Sequence, residues 1–196
     1  MKIEVNVPDG KLGKWCVESF VVKKDELSQQ ISLLKTGRGV PEGNYKRLMR
    51  DGCCIMSNTP DEISDFMHFV HNAKGSVLIN GLGLGVVLQA LLDRQDDEIT
   101  DITVIEKSQD VINLVAPTFA NESRVKIINA DAFEYLPEKG KTFSAVWHDI
   151  WEDICTDNLK EMTKLHRKYG KIAKYQDSWC KDLCLRVKKR QLKRHY

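Results

Sequence analysis

Hydrophobic and polar positions alternate at the start of the chain, as they do in β-strands. Ile3, Val5 and Val7 alternate in "KIEVNV", "PDG" follows as a turn tripeptide, and "KWCVESFVV" offers a second strand. Further on, Asp51 and Gly52 stand between two short strand-like runs, which is the usual signal for a two-residue hairpin turn. The pattern predicts an N-terminal β-hairpin extension.

Two helices are predicted around this extension from the spacing of apolar residues. One covers residues 25–34. The other begins after Thr59, which can cap it, with Pro60 at the first helical position and Glu62 completing a capping box. Its apolar face then repeats at helical spacing and can cover one side of a sheet, through Ile63, Phe66, Met67 and Val70.

From Ser76 onward the pattern changes to strands alternating with helices. Strands are predicted at residues 76–80, 101–106, 124–128 and 143–147, and helices at 85–94, 109–116 and 132–136. Beyond them, Leu159, Met162 and Leu165 mark a helix that stops at Gly170, and a fifth strand at 171–176 and a basic helix at 182–193 follow. Such alternation is typical of a parallel sheet with right-handed crossovers.

The predicted fold is therefore α/β, with a Rossmann-like, doubly wound and mostly parallel sheet that ends after its fourth or fifth strand. We divide the chain into an N-terminal hairpin and helix extension (residues 1–58), a Rossmann-like sheet domain (59–180) and a basic tail (181–196). A length of 196 residues with 42% hydrophobic residues fits one main core.

The composition indicates the cellular compartment and the state of the cysteines. No window reaches the roughly 18 apolar residues of a membrane span, and the first residues lack the apolar core of a signal peptide, so we expect a cytoplasmic protein without membrane contact. The six cysteines contain no CxxC pair, which indicates reduced thiols and neither a zinc ribbon nor a disulfide framework.

Charge is distributed unevenly along the chain. Residues 160–196 hold thirteen Lys or Arg against three acids, whereas the rest holds 17 basic and 25 acidic residues. Such a basic run favours a solvated helix end, and docking to nucleic acid is the less favoured alternative.

The stretch "NGLGLG" places three glycines directly after the first predicted strand of the parallel sheet. In this fold a ligand binds beyond the carboxyl ends of the strands, where glycine lets it approach the main chain. The spacing is G-x-G-x-G, at Gly81, Gly83 and Gly85, and Val86 occupies the third glycine position of the dinucleotide fingerprint. The pattern argues against a nicotinamide cofactor.

Acidic residues follow the next two strands. Glu106 ends the second strand, where a carboxylate can accept both hydroxyls of a ribose. Asp131 follows the third strand, where it can accept from an adenine amino group, with Ala132 and Phe133 beside the ring. Both acids can instead cap the helices that follow them. Three successive strand ends meeting at one place favour a nucleoside site.

The segments "VLINGLGLG", "VIEKSQDVI" and "RVKIINADAFEYL" resemble the ligand-binding motifs of class I S-adenosylmethionine-dependent methyltransferases, and most closely their spermidine-synthase-like branch. The resemblance covers about residues 52–152. It implies S-adenosylmethionine, or its decarboxylated form, as the cofactor, held by Asn80, Gly81, Gly83, Gly85, Glu106, Lys107, Asp131 and Ala132. Asn80 stands where methyltransferases often have an acid, and the glycine loop lacks the acidic residue usual in spermidine synthases.

The fourth strand ends in "FSAVWHDIWEDICTDN", where this fold places catalytic residues. The resemblance implies that Asp149 deprotonates an attacking amine, and we add His148 and Glu152 as catalytic candidates. An acidic pocket with aromatic walls suits a cationic amine, so Trp151 and Asp153 are predicted to bind the substrate. The alternative is that these side chains cap turns and fill the core. Asp149 and Asp177 lack an evident third ligand, so no metal is predicted.

Three functions remain open from the sequence. The first is a methyltransferase-like enzyme acting on a small, amine-bearing acceptor, and the second is an aminopropyltransferase. The third is a non-catalytic nucleoside-binding or scaffold protein whose basic tail docks to nucleic acid. The sequence leaves open whether the chain forms a homo-oligomer.

Overall fold

The computed structural model describes residues 2–23, 39–94, 96 and 98–193. The helix predicted over residues 25–34 lies outside these ranges. Four strands form an antiparallel sheet in the order β1-β2-β3-β4, with bounds β1 (Gly10–Leu12), β2 (Trp15–Val22), β3 (Gly43–Arg50) and β4 (Cys53–Ser57). Asp51 and Gly52 connect β3 to β4 with φ of 49° and 82°, which confirms the predicted two-residue turn.

The first predicted strand was wrong in its pairing. "KIEVNV" lies outside any strand, and the sheet begins only at β1. The alternation nevertheless identified the inward side chains, because Ile3, Val5 and Val7 are all buried in the core. Periodicity reports which side chains are inside, and it does not report whether a neighbouring strand is present to accept the backbone hydrogen bonds.

Five strands form a second, entirely parallel sheet in the order β7-β6-β5-β8-β9. Their bounds are β5 (Gly75–Asn80), β6 (Ile99–Glu106), β7 (Val125–Asn129), β8 (Phe143–His148) and β9 (Ala173–Ser178). The helices are α1 (Pro60–Asn72), α2 (Val86–Leu92), α3 (Gln109–Val115), α4 (Asn158–Tyr169) and α5 (Lys181–Lys193), and a 3-10 turn spans Ala116–Phe119. The fold is the predicted Rossmann-like α/β arrangement.

One predicted helix is absent. Residues 132–136 form a single turn, in which Glu134 N and Tyr135 N donate to the carbonyl oxygen of Asp131 at 2.9 and 2.8 Å. The turn cannot continue because Leu136 precedes Pro137, and a proline disfavours helical geometry in the residue before it.

The two sheets share one core. Val17 and Leu48 of the antiparallel sheet belong to the same buried cluster as Val77 and Val104 of the parallel sheet. The predicted division at residues 58 and 59 therefore does not separate two cores. A second cluster covers the other face of the parallel sheet and includes Cys184, which anchors the first turn of α5. Within the described ranges, no helix is both long and apolar enough to cross a membrane.

Candidate functional site

A cavity of about 600 Å³ lies where the carboxyl ends of β5, β6, β7 and β8 meet. The strand order reverses between β5 and β8, and in open parallel sheets this is the point where ligands bind. Residues from the antiparallel sheet form the opposite wall, among them Trp15, Arg50 and Met56. Nine of the thirteen predicted site residues line the cavity: Gly81, Gly83, Glu106, Lys107, Asp131, Ala132, Asp149, Trp151 and Glu152.

The glycines leave room mainly for other parts of the protein. Gly81 has a φ of 101°, and a Cβ atom there would lie 1.9 Å from the carbonyl oxygen of Asp149. A Cβ at Gly83 would meet Met56 Sδ at 2.7 Å. Gly85 does not line the cavity, contrary to its predicted role, and a Cβ atom there would lie 2.7 Å from the Phe119 ring. The absence of side chains therefore lets the glycine loop pack closely against Asp149, Met56 and Phe119. Gly81 and Gly83 also line the cavity.

Glu106 holds the glycine loop in place. Its Oε2 accepts from the backbone N of Leu82 at 2.9 Å, and its Oε1 accepts from the backbone N of Ser108 at 2.7 Å. One carboxylate thus joins the loop after β5 to the start of α3. Each oxygen retains a further lone pair, and the side chain lines the cavity.

Asp131 is likewise engaged at both oxygens. Oδ1 accepts from the backbone N of Phe133 at 2.8 Å, and Oδ2 accepts from Lys107 Nζ at 2.8 Å. The hydrogen bond from Lys107 is the main reason that the pKa of Asp131 is lowered, and it raises the pKa of Lys107 in turn. The predicted pairing of Asp131 with an adenine amino group stays a prediction, now with Lys107 beside it.

Asp149 follows β8 and has the most unusual environment of the acids. Its Oδ2 is fully buried and has no hydrogen-bond partner among the described residues. Burial raises the pKa of Asp149 to about 7, with smaller contributions from the charges of Glu62 and Asp65, while the Trp147 indole opposes the rise. Glu152 and Asp153, the acids that follow Asp149 in sequence, are not among the causes of this rise. A carboxyl group poised near neutral pH is suited to proton transfer.

Asn80 and His148 do not line the cavity, contrary to the roles predicted for them. Both are fully buried. Asn80 Nδ2 lies 2.9 Å from His148 Nδ1, and His148 Nε2 lies 3.2 Å from Gln176 Oε1. Asn80 therefore donates to Nδ1, and the proton on Nε2 points to Gln176. Burial lowers the pKa of His148 to about 4, so the ring is neutral and cross-links the ends of β5, β8 and β9.

Of the predicted site residues after Asp149, Trp151 and Glu152 line the cavity and Asp153 does not. Glu152 forms an ion pair with Arg50, whose guanidinium also lies over the Trp15 ring at 5.6 Å. Trp151 Nε1 donates to Glu161 Oε2 at 2.8 Å, and both side chains line the cavity. Asp153 does not line it, and its contact is a backbone one, from Asn158 Nδ2 to its carbonyl oxygen at 2.8 Å. Its predicted substrate role is not supported.

Sequence reasoning missed several lining residues from distant segments: Trp15, Arg50, Glu62, Glu161 and Trp179. Of these five residues, only Glu62 had been assigned a role from the sequence, and that role was helix capping. It was expected to complete a capping box with Thr59, but it accepts instead from the backbone N and the Oγ of Ser57, both at 2.7 Å. No cluster of three or more His, Cys, Asp or Glu side chains in the described ranges is arranged to hold a metal ion.

The raised pKa of Asp149 makes a prediction about stability. Because the folded state holds the proton more tightly than the unfolded chain, the contribution of Asp149 is fully favourable below its ordinary pKa of 3.8 and is lost as pH rises through about 7. Asp149→Asn mimics the neutral acid. We expect it to raise Tm by ~5–10 °C at pH 8, and by much less at pH 5.

This prediction is checked by thermal unfolding at both pH values. Asp153→Asn is the matched control, since it removes an exposed carboxylate four residues away. Equal Tm changes in the two variants at both pH values would contradict an ionisation cost at Asp149.

No protein-family model matches the chain, and no curated protein matches it. Solved structures of similar fold include the 23S rRNA methyltransferase ErmE (17% identity over 56% of this chain and 42% of that one, TM-score 0.44). They also include spermidine synthase from Thermotoga maritima (18% identity over 61% of this chain and 45% of that one, TM-score 0.43). A third is the N-methyltransferase NodS from Bradyrhizobium japonicum WM9 in complex with S-adenosyl-L-homocysteine (14% identity over 55% of this chain and 52% of that one, TM-score 0.41).

The chain spans about half or less of the length of each of these structures. Similarities of this size concern the fold alone and say nothing of activity. The evidence for a ligand site in this chain is its own strand order and the cavity at the switch point of the sheet.

Proposed function

We propose that this protein is an S-adenosylmethionine-dependent transferase that acts on a small, amine-bearing acceptor. The observation that carries the proposal is the meeting of Glu106, Asp131 and Asp149, from the ends of three different strands, in one cavity at the switch point of the sheet. Two of these acids are fixed by backbone N–H groups, and the third has a buried oxygen to which no group in the described ranges donates.

The nucleoside occupies the β6 and β7 side of the cavity in this proposal. Glu106 uses its remaining lone pairs for the ribose hydroxyls, which can donate to it. Ile105, Ala132 and Phe133 line the same side and provide apolar contacts for adenine. The volume of about 600 Å³ lies within the ~300–1,000 Å³ of small-molecule sites.

The acceptor occupies the β8 side. Four carboxylates line the cavity here together with three tryptophans, namely Glu62, Asp149, Glu152, Glu161, Trp15, Trp151 and Trp179. Acidic groups and aromatic faces both attract an ammonium group. Asp149 would accept a proton from that ammonium and so free the nitrogen lone pair. S-adenosylmethionine, when bound, would supply the methyl group to this nitrogen, with the carbon–sulfur electron pair remaining on the thioether.

Charge at the antiparallel wall favours methyl transfer over aminopropyl transfer. Lys14 lines the cavity and has no ion pair among the described residues, so its ammonium group can pair with the carboxylate that S-adenosylmethionine has and its decarboxylated form lacks. Aminopropyl transfer remains the second candidate, because the same acids also suit the amine of a decarboxylated nucleoside.

A thermal-shift series tests the proposal and separates the two candidates. The ligands are S-adenosylmethionine, its decarboxylated form and the two thioether products. A ligand that binds only the folded state raises Tm by mass action. We expect S-adenosylmethionine and S-adenosylhomocysteine to give the larger shifts. Larger shifts with the decarboxylated form and its product would assign aminopropyl transfer, and no shift with any of the four would refute the proposal.

Glu106→Ala is expected to weaken nucleoside binding by about 2–3 kcal/mol, the upper range for hydrogen bonds to a charged group. It also removes two acceptors of backbone N–H groups, so a moderate fall in apo Tm is expected with it. Calorimetry at a temperature well below Tm measures the affinity. Glu134→Ala, at an exposed position outside the cavity, is the control. Unchanged affinity in Glu106→Ala would remove this residue from the site.

A further inference from the structure

A second cavity, a groove of about 460 Å³, lies between α4 and α5 and shares no lining residue with the first. Its floor is apolar, with Leu159, Met162 and Leu185. Its other lining residues are Thr163, His166 and four basic side chains, and no acid of the described ranges lines it; the basic residues are Lys160, Arg167, Lys181 and Lys188.

The positive charge continues along both helices beyond the groove. Residues 160–193 contain twelve Lys or Arg against three acids. One of the acids, Glu161, is turned to the first cavity by its contact with Trp151. None of the ion pairs among the described residues involves a Lys or Arg of α4 or α5. The described part of the chain therefore does not neutralise the charge of this face.

The last turns of α5 lie outside the core. Every residue from Leu185 to Lys193 is exposed, over a helix length of about 12 Å. Five of these nine residues are basic: Arg186, Lys188, Lys189, Arg190 and Lys193. On α4, Lys160, Lys164 and Arg167 are exposed and repeat at helical spacing, so they extend the same charge on the other side of the groove.

We propose that the groove between α4 and α5, with the exposed end of α5, binds the phosphate backbone of a nucleic-acid duplex. Lysines and arginines that extend over two helices, without ion pairs in the described part of the chain, match the regular negative charge of a duplex backbone. Binding of this kind is independent of base sequence.

Two features of the helices favour a duplex over other anionic partners. Single strands are bound by stacking their bases on aromatic side chains, but the only Phe, Tyr or Trp of α4 and α5 is Tyr169, which is fully buried. A membrane-surface helix separates its apolar and basic faces, whereas Leu185 and Leu192 share a face of α5 with Lys181 and Lys188.

Fluorescence anisotropy with a labelled 20-base-pair DNA duplex of mixed sequence tests the inference. We expect binding that weakens steeply with salt, with a slope of log K against log [NaCl] of about −4 to −5 if about five phosphates are contacted. The triple variant Arg167→Gln, Lys181→Gln, Lys188→Gln should lower affinity at least tenfold at 100 mM NaCl and reduce the slope by about 3.

The triple variant Lys2→Gln, Lys74→Gln, Lys126→Gln is the matched control, because it removes the same charge from exposed lysines outside the groove. It should keep the affinity within about threefold. Equal losses in the two triple variants would assign the binding to net charge and overturn the proposal. So would no detectable binding at 50 mM NaCl, or groove-dependent binding that is tighter to phosphatidylserine vesicles or to an acidic peptide than to the duplex.

The groove variants also separate this inference from the proposed enzymatic function. Since the two cavities share no lining residue, the groove triple variant should retain the thermal shift with S-adenosylmethionine. Failure of duplex binding would leave the nucleoside site untouched, and failure of nucleoside binding would leave the groove untouched.

Discussion

Asp149→Asn is expected to lower turnover by about 10²–10⁴-fold while nucleoside affinity stays within a few-fold, because the change removes a general base and keeps the size of the side chain. Burial raises the pKa of Asp149 to about 7, so the wild-type rate should rise with pH through about 7 and then level off. The measurement is formation of S-adenosylhomocysteine from S-adenosylmethionine with a panel of small amines, at several pH values.

Asp153→Asn again serves as the control and should leave both the rate and its pH dependence unchanged, since this side chain does not line the cavity. Near-normal turnover in Asp149→Asn would refute the amine-base mechanism. A loss of nucleoside binding in the same variant would place Asp149 in the cofactor site and make the proposed division of roles wrong.

Gly81→Ala is expected to destabilise the protein by about 3 kcal/mol or more, which corresponds to a fall in Tm of about 6–12 °C. The φ of 101° is strained for any residue with a Cβ, and the added atom would lie 1.9 Å from a backbone oxygen, which cannot move aside as a side chain can. Thermal and urea unfolding of the purified variant measure the loss.

Gly83→Ala is the informative comparison for this prediction. Its φ of 51° is within the left-handed region that alanine tolerates at modest cost, and the atom that it meets is the end of the flexible Met56 side chain. We therefore expect a loss of about 1 kcal/mol. Similar losses in the two variants would show that the close approach of Asp149 to Gly81 has no special cost.

The parallel sheet could be predicted from the sequence because each of its elements carries a local signal. The strand of residues 75–80 is apolar and ends at a glycine loop, and Ser108 accepts from Val111 N as a helix cap should. The same local signals place Glu106, Asp131 and Asp149 after their strands. The position of a residue at a strand end then fixes its position in the cavity, because parallel strands end on the same side.

The rest of the site could not be predicted in this way. Arg50 and Trp15 reach the cavity only because the antiparallel sheet packs against the parallel one, and no periodicity reports that packing. His148 is the opposite case, because the sequence predicted it in the site and it does not line the cavity. It stands directly before Asp149 in sequence, but successive residues of a strand point to opposite sides, and the ring is buried between Asn80 and Gln176.

The ion pair between Arg50 and Glu152 joins the hairpin of the antiparallel sheet to the loop after β8. Each of these two segments supplies a wall of the cavity, so the binding site exists only while the two sheets are docked. The antiparallel sheet is thus a structural half of the site, and the parallel sheet expressed alone would present its strand ends to open solvent. Any ligand that fills the cavity would contact both sheets and would therefore stabilise their docking against each other.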